Sequence, residues 1–340
     1  MISVVVPCYN ESEVLEALYQ RLTSAAESWE EPFEVLLVDD GSDDATWARI
    51  EQIHRLDPRW KALRFSRNFG HQTAVSAGLH YASGDAVIVL DADLQDPPEE
   101  LYRFIAQWRA GSDVIYGVRR HRKENLLKRF CYAAFYRLLS GLSQTAIPVD
   151  SGDFCLMDRK VVELLKAMPE HNRFVRGLRA WVGFRQTGLE YERSARCAGF
   201  PKYTLPKLIQ LATDGILSSS TLPLRLATRL GLLACALGAL AAAVSLSERF
   251  WGSGQAGSAP SAGVLIAVLF LGGAQLLCLG ILGEYVGRIY EDVKGRPLWV
   301  LRETLGIESR AISFSRRLAQ MPRVEWHSPA NNQQRLRRAG

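Results

Sequence analysis

Cysteine is scarce and scattered in this 340-residue chain: Cys8, Cys131, Cys155, Cys197, Cys235 and Cys278 form no C-x-x-C pair. That spacing argues against a zinc site or a disulfide framework and fits reduced thiols. A G-x-G-x-x-G turn is missing after the first apolar run, where the chain reads Pro7-Cys8-Tyr9-Asn10-Glu11. No G-x-x-x-x-G-K-[ST] loop occurs either, so hydride transfer and ATP hydrolysis both lose their usual phosphate cradles. Met1 is followed directly by the apolar Ile2–Val6, with no basic stretch and cleavage site of a signal peptide, so the N-terminal part is expected to stay in the cytosol. The net charge of +5 is modest, and no nucleic-acid partner is expected. There is no internal repeat and no low-complexity tract beyond the Gly/Ser/Ala-rich 252–263.

Charge itself is missing from two stretches. Leu230–Ser247 and Phe250–Gly283 carry none, whereas residues 1–200 read as a charged globular protein. An apolar run of about 20 residues matches what a bilayer's hydrocarbon core requires of a helix. Neither run keeps the polar stripe of a globular helix, and two transmembrane helices are expected, at 226–247 and 262–284. Arg225 and Arg229 precede the first, Arg288, Lys294 and Arg296 follow the second, and Trp251–Ala262 between them lacks Lys and Arg. The positive-inside rule then places both ends in the cytoplasm. From Leu305 onward there are seven Arg against Glu308 and Glu325, a basic tail suited to anionic lipid or to a solvated, partly disordered end.

The N-terminal part alternates strand and helix signals. Apolar runs at Ile2–Val6, Phe33–Val38, Lys61–Phe65, Ala86–Leu90 and Val114–Tyr116 read as strands. Helices are expected from the Asn10-Glu11-Ser12-Glu13 capping signal, over 43–56, over 70–82 and over 97–110. Strands apolar on both faces and separated by helices imply an α/β fold with a parallel sheet covered on both sides. Two further helices are expected between 159 and 183, an amphipathic segment over 205–222, and an interface helix after the second span.

Ligands in such sheets bind at the carboxyl ends of the strands, and there the chain places Tyr9, Glu11, Asp39, Asp40, Asp91 and Asp93. Asp91 and Asp93, one residue apart on a strand leaving the sheet, can turn toward one hard divalent ion carrying a diphosphate. The alternative is that both merely solvate a strand end. Asp96 is expected to cap the helix beginning at Pro97. His71 and His80 are expected to pack or cap.

The ordered set PxYNE at 7–11, VDDGS at 38–42, SRNFGH at 66–71, DADLQDPPE at 91–99 and GDF at 152–154 resembles glycosyltransferase family 2. The segment GEYVGRIYEDVKGRP at 283–297 resembles its bacterial polyprenyl-phosphate branch, such as the undecaprenyl-phosphate glucosyltransferases. The resemblance implies a GT-A-like nucleotide-sugar domain over 1–200, a juxtamembrane segment over 201–225, a membrane hairpin over 226–284, a cytoplasmic interface helix over 285–305 and the tail over 306–340. It implies that Pro7, Tyr9, Glu11, Asp39 and Asp40 surround the nucleotide and that Arg67 contacts the donor. Asp91 and Asp93 would hold Mg2+ or Mn2+ and diphosphate with Gln95 beside them, and Asp153 would be catalytic. Arg119, Arg122, Arg129, Arg196 and Lys202 would meet the lipid phosphate. One departure is visible: Pro201 stands where the branch commonly has Ser.

The implied activity is inverting transfer of one sugar, UDP-glucose being the favoured donor, to polyprenyl phosphate at the cytoplasmic membrane face, with membrane lipid and a second copy of the chain as partners. A phosphate monoester acceptor suits this, because its second pKa near 6 leaves it largely anionic at pH 7. A processive polysaccharide synthase would call for a Q-x-x-R-W element, absent here; a non-catalytic scaffold or lipid translocase is the reading from another class.

Overall fold

A computed structural model describes residues 1–120, 151–171, 173–192, scattered positions between 224 and 240, and 260–307. The strands are β1 (Ile2–Cys8), β2 (Phe33–Asp39), β3 (Trp60–Phe65), β4 (Ala86–Val89), β5 (Val114–Arg120), β6 (Ser151–Asp158), β7 (Gln186–Glu192) and β8 (Leu301–Leu305). They form one sheet in the order β7-β5-β6-β4-β1-β2-β3-β8. The central strands β4, β1, β2 and β3 are parallel, β5 and β7 are parallel, and β6 and β8 pair antiparallel with their neighbours. The chain runs outward from β1 through β2 to β3, then returns to lay β4 on the other side of β1. That reversal opens a crevice at the carboxyl ends of β1, β2 and β4.

Continuous apolar runs form the strands that are buried on both faces. Val4 and Val6 of β1 join a core with Leu15, Leu18 and Leu22 of α1 (Leu15–Glu27), Ile50 and Ile53 of α2 (Thr46–Leu56), and Phe104 of α4 (Leu101–Arg109). The opposite face receives α3 (His71–Tyr81), α5 (Arg159–Ala167) and α6 (Val175–Trp181). Helix α3 lies close on β1 because Gly78 faces Val5: a Cβ at Gly78 would stand 2.1 Å from Val5 Cγ1.

Three local expectations are corrected. The polar run 10–13 does not cap a helix; α1 begins at Leu15 without a side-chain cap. Its groups bond across to the β2–α2 loop instead: Asn10 N–H to Ser42 Oγ at 2.9 Å, Glu11 N–H to Thr46 Oγ1 at 2.9 Å, and Asp43 N–H to Asn10 Oδ1 at 3.0 Å. Short polar side chains offer the backbone such alternatives to a helix. Asp96 is not a cap either. It is fully buried and accepts a 2.5 Å hydrogen bond from the Tyr191 hydroxyl of β7, and the short helical turn Pro98–Glu100 starts after Pro97 without a side-chain cap. Finally, the interface helix expected to reach 305 stops at Lys294, and Leu301–Leu305 is a strand on β3. Gly295, at φ +59, ends that helix in the left-handed conformation that glycine adopts at low cost.

The long helix α7 (Pro260–Lys294) is the one described helix long and apolar enough to cross a membrane, over Phe270–Lys294. Leu276, Leu277, Leu279, Leu282 and Ile289 are all exposed along it. At 1.5 Å per residue its 35 residues span about 52 Å, more than the roughly 30 Å hydrocarbon core. The first expected span lies mostly outside the described residues. The last turn of α7 and the chain beyond it pack back on the domain. The backbone N–H of His171 donates to Asp292 Oδ1 at 3.1 Å, Trp299 stacks on Phe65, and Ser66 N–H donates to the Val300 carbonyl.

Gly78→Ala is expected to lower stability by about 1–3 kcal/mol through overpacking against Val5. A thermal melt of the detergent-solubilised protein that shows no lowering of Tm would contradict this packing.

Candidate active site

Four loops meet at the crevice, following β1, β2, β3 and β4. Gly41, at φ +68, lets the β2 loop touch the β3 loop, since a Cβ there would stand 2.4 Å from the Arg67 carbonyl carbon. Asp40 fastens the same two loops: its carboxylate accepts from Phe69 N–H at 2.6 Å and Gly70 N–H at 2.9 Å. This carboxylate is engaged by the chain itself. Asp39, at the end of β2, is fully buried; Oδ1 accepts from Ser42 N–H at 3.0 Å, and Oδ2 lies 3.5 Å from Arg64 Nε. Burial raises the pKa of both acids. Pro7 is buried in β1 opposite Val38, Tyr9 and Glu11 are half-buried at the rim, and exposed Arg67 lies 4.0 Å over the Phe69 ring.

Past β4 the chain turns sharply. Gln95 N–H donates to Asp93 Oδ1 at 3.2 Å, and Leu94 between them takes φ +57, costly backbone for a bulky residue. The turn leaves Asp91 Oδ1 and Gln95 Oε1 buried without a hydrogen-bond partner. Burial is the main cause that pushes the Asp91 pKa up to about 6; His71 opposes it, and the charges of Asp153, Asp96 and Asp93 add to it. Two orphaned oxygens beside a second carboxylate suit a hard divalent cation, which takes oxygen ligands and displaces the proton. Among the described residues no group of three or more His, Cys, Asp or Glu encloses a metal. A cation at Asp91 and Asp93 would therefore take its remaining ligands from substrate or water.

Asp153 enters from β6 on the far side of Asp91. Arg176 of α6 grips it with both Nε, 2.8 Å from Oδ1, and Nη2, 3.0 Å from Oδ2. His71 Nε2 stands 3.2 Å from Oδ2 and Gln72 Nε2 3.3 Å from it, while Gln72 Oε1 accepts from the Val175 N–H that begins α6. Burial alone would raise the Asp153 pKa, but the Arg176 charge and the bonds from His71 and Arg176 hold it well below the usual carboxylate range. His71 also lies 3.8 Å from Asp91. The His71 side chain keeps 41% of its surface exposed; the desolvation of its covered part lowers the imidazole pKa, yet the Asp153 bond and the charges of Asp91 and Asp153 outweigh it and raise the value to about 9. The centre is thus an alternation, Asp91, His71, Asp153, Arg176, in which each charge faces its opposite.

The structure brings together Asp91, Asp93, Gln95 and Asp153. Arg119 lies near the end of β5 at the same edge of the sheet. Arg122, Arg129, Arg196 and Lys202 lie outside the described residues. His71, Gln72 and Arg176 are the residues that sequence reasoning missed. His71 closes the quoted SRNFGH run and was expected to pack or cap; its position directly after a glycine at a strand-to-helix turn was the available signal. Arg176 sits in Phe174-Val175-Arg176-Gly177-Leu178, where nothing local separates an ion-paired arginine from a solvated one.

Residues 3–165 match glycosyl transferase family 2. An uncharacterized glycosyltransferase of Bacillus subtilis, YkcC, is 45% identical over 311 residues, covering 91% of this chain and 96% of its own. The SfII prophage-derived bactoprenol glucosyl transferase of Shigella flexneri is 41% identical over 304 residues, covering 89% and 98%. The mannosyltransferase PcManGT from Pyrobaculum calidifontis, solved with GDP-Man and Mn2+, shares 18% identity at a TM-score of 0.42, covering 87% of this chain and 88% of its own. The class defined by this α/β fold and its strand-end acids is the GT-A-like glycosyltransferases. The chain belongs to glycosyl transferase family 2, and it is an enzyme of that kind.

A group whose pKa is raised on folding stabilises the protein below its unfolded value and loses that contribution as pH rises through the folded one. For His71 the window runs from 6.5 to about 9. The Tm difference between the wild type and His71→Gln should be largest below pH 6.5 and close by pH 9; a gap independent of pH would refute the charged His71.

Proposed function

We propose that the protein transfers a single glucose from UDP-glucose to a polyprenyl phosphate, undecaprenyl phosphate in a bacterial membrane, at the cytoplasmic face and with inversion. The observation that carries this reading is the pair of acid sites joined by His71, one side built of unpartnered hard oxygens for a metal-bound diphosphate, the other of fixed charge. The bactoprenol glucosyl transferases among the relatives support the lipid acceptor and the sugar. Helix α7 supports a membrane location. Uncharged Leu230–Ser247 supports a second span, as does the helical stretch at 227–229 and 231–234, whose Ala227 carbonyl lies 3.8 Å from Cys278 Sγ of α7.

In the proposed reaction a phosphate oxygen of the lipid attacks the anomeric carbon from the face opposite the diphosphate. The carbon–oxygen bond to the diphosphate breaks, its electron pair leaves with the nucleoside diphosphate, and the configuration inverts. Mg2+ or Mn2+ held by Asp91, Asp93 and Gln95 would supply Lewis-acid neutralisation of the leaving group. Asp39, Glu11, Tyr9, Pro7 and Arg67 flank the nucleotide in this reading, and Asp40 shapes the loops that do so. Asp153 works at the acceptor side. The lipid phosphate arrives largely ionised, so a carboxylate held at low pKa serves better to orient than to take a proton. Arg119, Arg122, Arg129, Arg196 and Lys202 are assigned to the acceptor phosphate on the family resemblance. Self-association of the chain through its membrane segments belongs to the same proposal.

Membranes containing the protein, given radiolabelled UDP-glucose, GDP-mannose and other donors with undecaprenyl phosphate and Mg2+ or Mn2+, should label the lipid from UDP-glucose. Labelling from another donor alone would replace the sugar, and no labelled lipid with folded protein would sink the acceptor. Asp91→Ala and Asp93→Ala should each lower metal-dependent turnover at least about 100-fold; unchanged turnover would remove the metal assignment.

A further inference from the structure

Asp153 is buried, yet its two oxygens receive four hydrogen bonds from three side chains on two helices. Only Arg176 reaches both oxygens, and in the fork geometry that fixes a carboxylate in plane as well as in place. The groups facing Asp153 are His71 and Gln72 from α3, Arg176 from α6 and, past His71, Asp91 from the β4 turn. Arg179, one turn along α6, faces elsewhere, its guanidinium 5.4 Å from the Tyr116 ring centroid. A buried carboxylate without a cation would take up a proton or rotate toward water.

We infer that Arg176 is a positioning residue for glycosyl transfer: it holds Asp153 as an oriented anion against His71, with Gln72 pinning the start of α6 so that the guanidinium arrives in register. The inference deepens the proposed role of Asp153 at the acceptor side and rests on it. Arg176 acts through Asp153 on the step that breaks the sugar–diphosphate bond, and the nucleotide binds without it. Lysine at 176 carries the charge but lacks the fork.

The test uses full-length protein in detergent with the donor and acceptor that the wild type turns over fastest. Arg176→Ala should lower kcat about 100-fold, the cost of a small misplacement at a reacting centre, and leave KM for the nucleotide sugar within about threefold. Arg176→Lys should recover only part of the loss. Guanidinium ion at millimolar concentration should raise the turnover of Arg176→Gly, and sodium at equal ionic strength should not. A fold defect would not be mended by guanidinium, so rescue separates positioning from simple stability; where Arg176→Ala fails to fold, Arg176→Lys and the rescued Arg176→Gly decide. Asp153→Asn separates the two layers of the argument. If it is inactive while Arg176→Ala or Arg176→Lys turns over like the wild type, the assignment of Arg176 is wrong. If Asp153→Asn itself keeps full turnover, Asp153 does not stand at the reacting centre.

Discussion

Acids gathered at the ends of buried strands need cations, and the way this chain supplies them decides how its site is built. Asp39 and Asp153 sit where water is excluded, and the half-buried Asp91 turns one oxygen, Oδ1, away from water, so each must find a positive partner or hold a proton. Asp39 has Arg64, Asp153 has Arg176 and His71, and Asp91 has His71 at longer range. Asp91 keeps a raised pKa, its Oδ1 accepts no hydrogen bond, and beside it lie Asp93 and the equally unbonded Gln95 Oε1, a grouping of oxygens that suits a divalent cation.

The partners come from distant parts of the chain, and this explains why the loops are so tightly cross-linked. Asp40 holds the turn at Phe69–Gly70, from which His71 begins α3; α3 carries Gln72, which reaches the start of α6, where Arg176 begins its grip on Asp153. An acid assigned to the nucleotide by family resemblance thus also sets the entry of the helix that carries His71 and Gln72 to Asp153. The β2–β3 loops and the Asp153 cluster share one framework, so a change at Asp40 would be felt at Asp153 without any contact between them.

Much of this was legible in the sequence and some was not, for identifiable reasons. The five strands Ile2–Val6 through Val114–Tyr116 and the helices after them were readable, because continuous apolar runs and 3.6-residue periodicity are local signals. The D-x-D turn was readable as a candidate because two carboxylates leaving an apolar strand are unusual. Asn10-Glu11-Ser12-Glu13 was misread: its local pattern is that of a cap, but its partners lie more than thirty residues away. Asp96 was misread for the same reason, its partner Tyr191 lying 95 positions along the chain. Arg176 and His71 act in pairs that only the fold creates, and Leu301–Leu305, a strand of five residues behind an apolar helix, was hidden by the helix that precedes it.

That last strand bears on how the protein is made. Arg64 of β3 pairs with Asp39 on one side and with Glu303 of β8 on the other, across 239 residues of sequence. Helix α7 lies between the two partners in the chain, so a growing polypeptide completes that helix before the last strand of its sheet exists. During synthesis β3 stands as an open edge, exposed to wrong pairing, until the segment beyond α7 leaves the ribosome and returns. Closure of the sheet next to Asp39 then reports that α7 has been placed so that its end faces the domain. A chain whose α7 ended away from the domain would leave β3 without its antiparallel partner and Arg64 without Glu303.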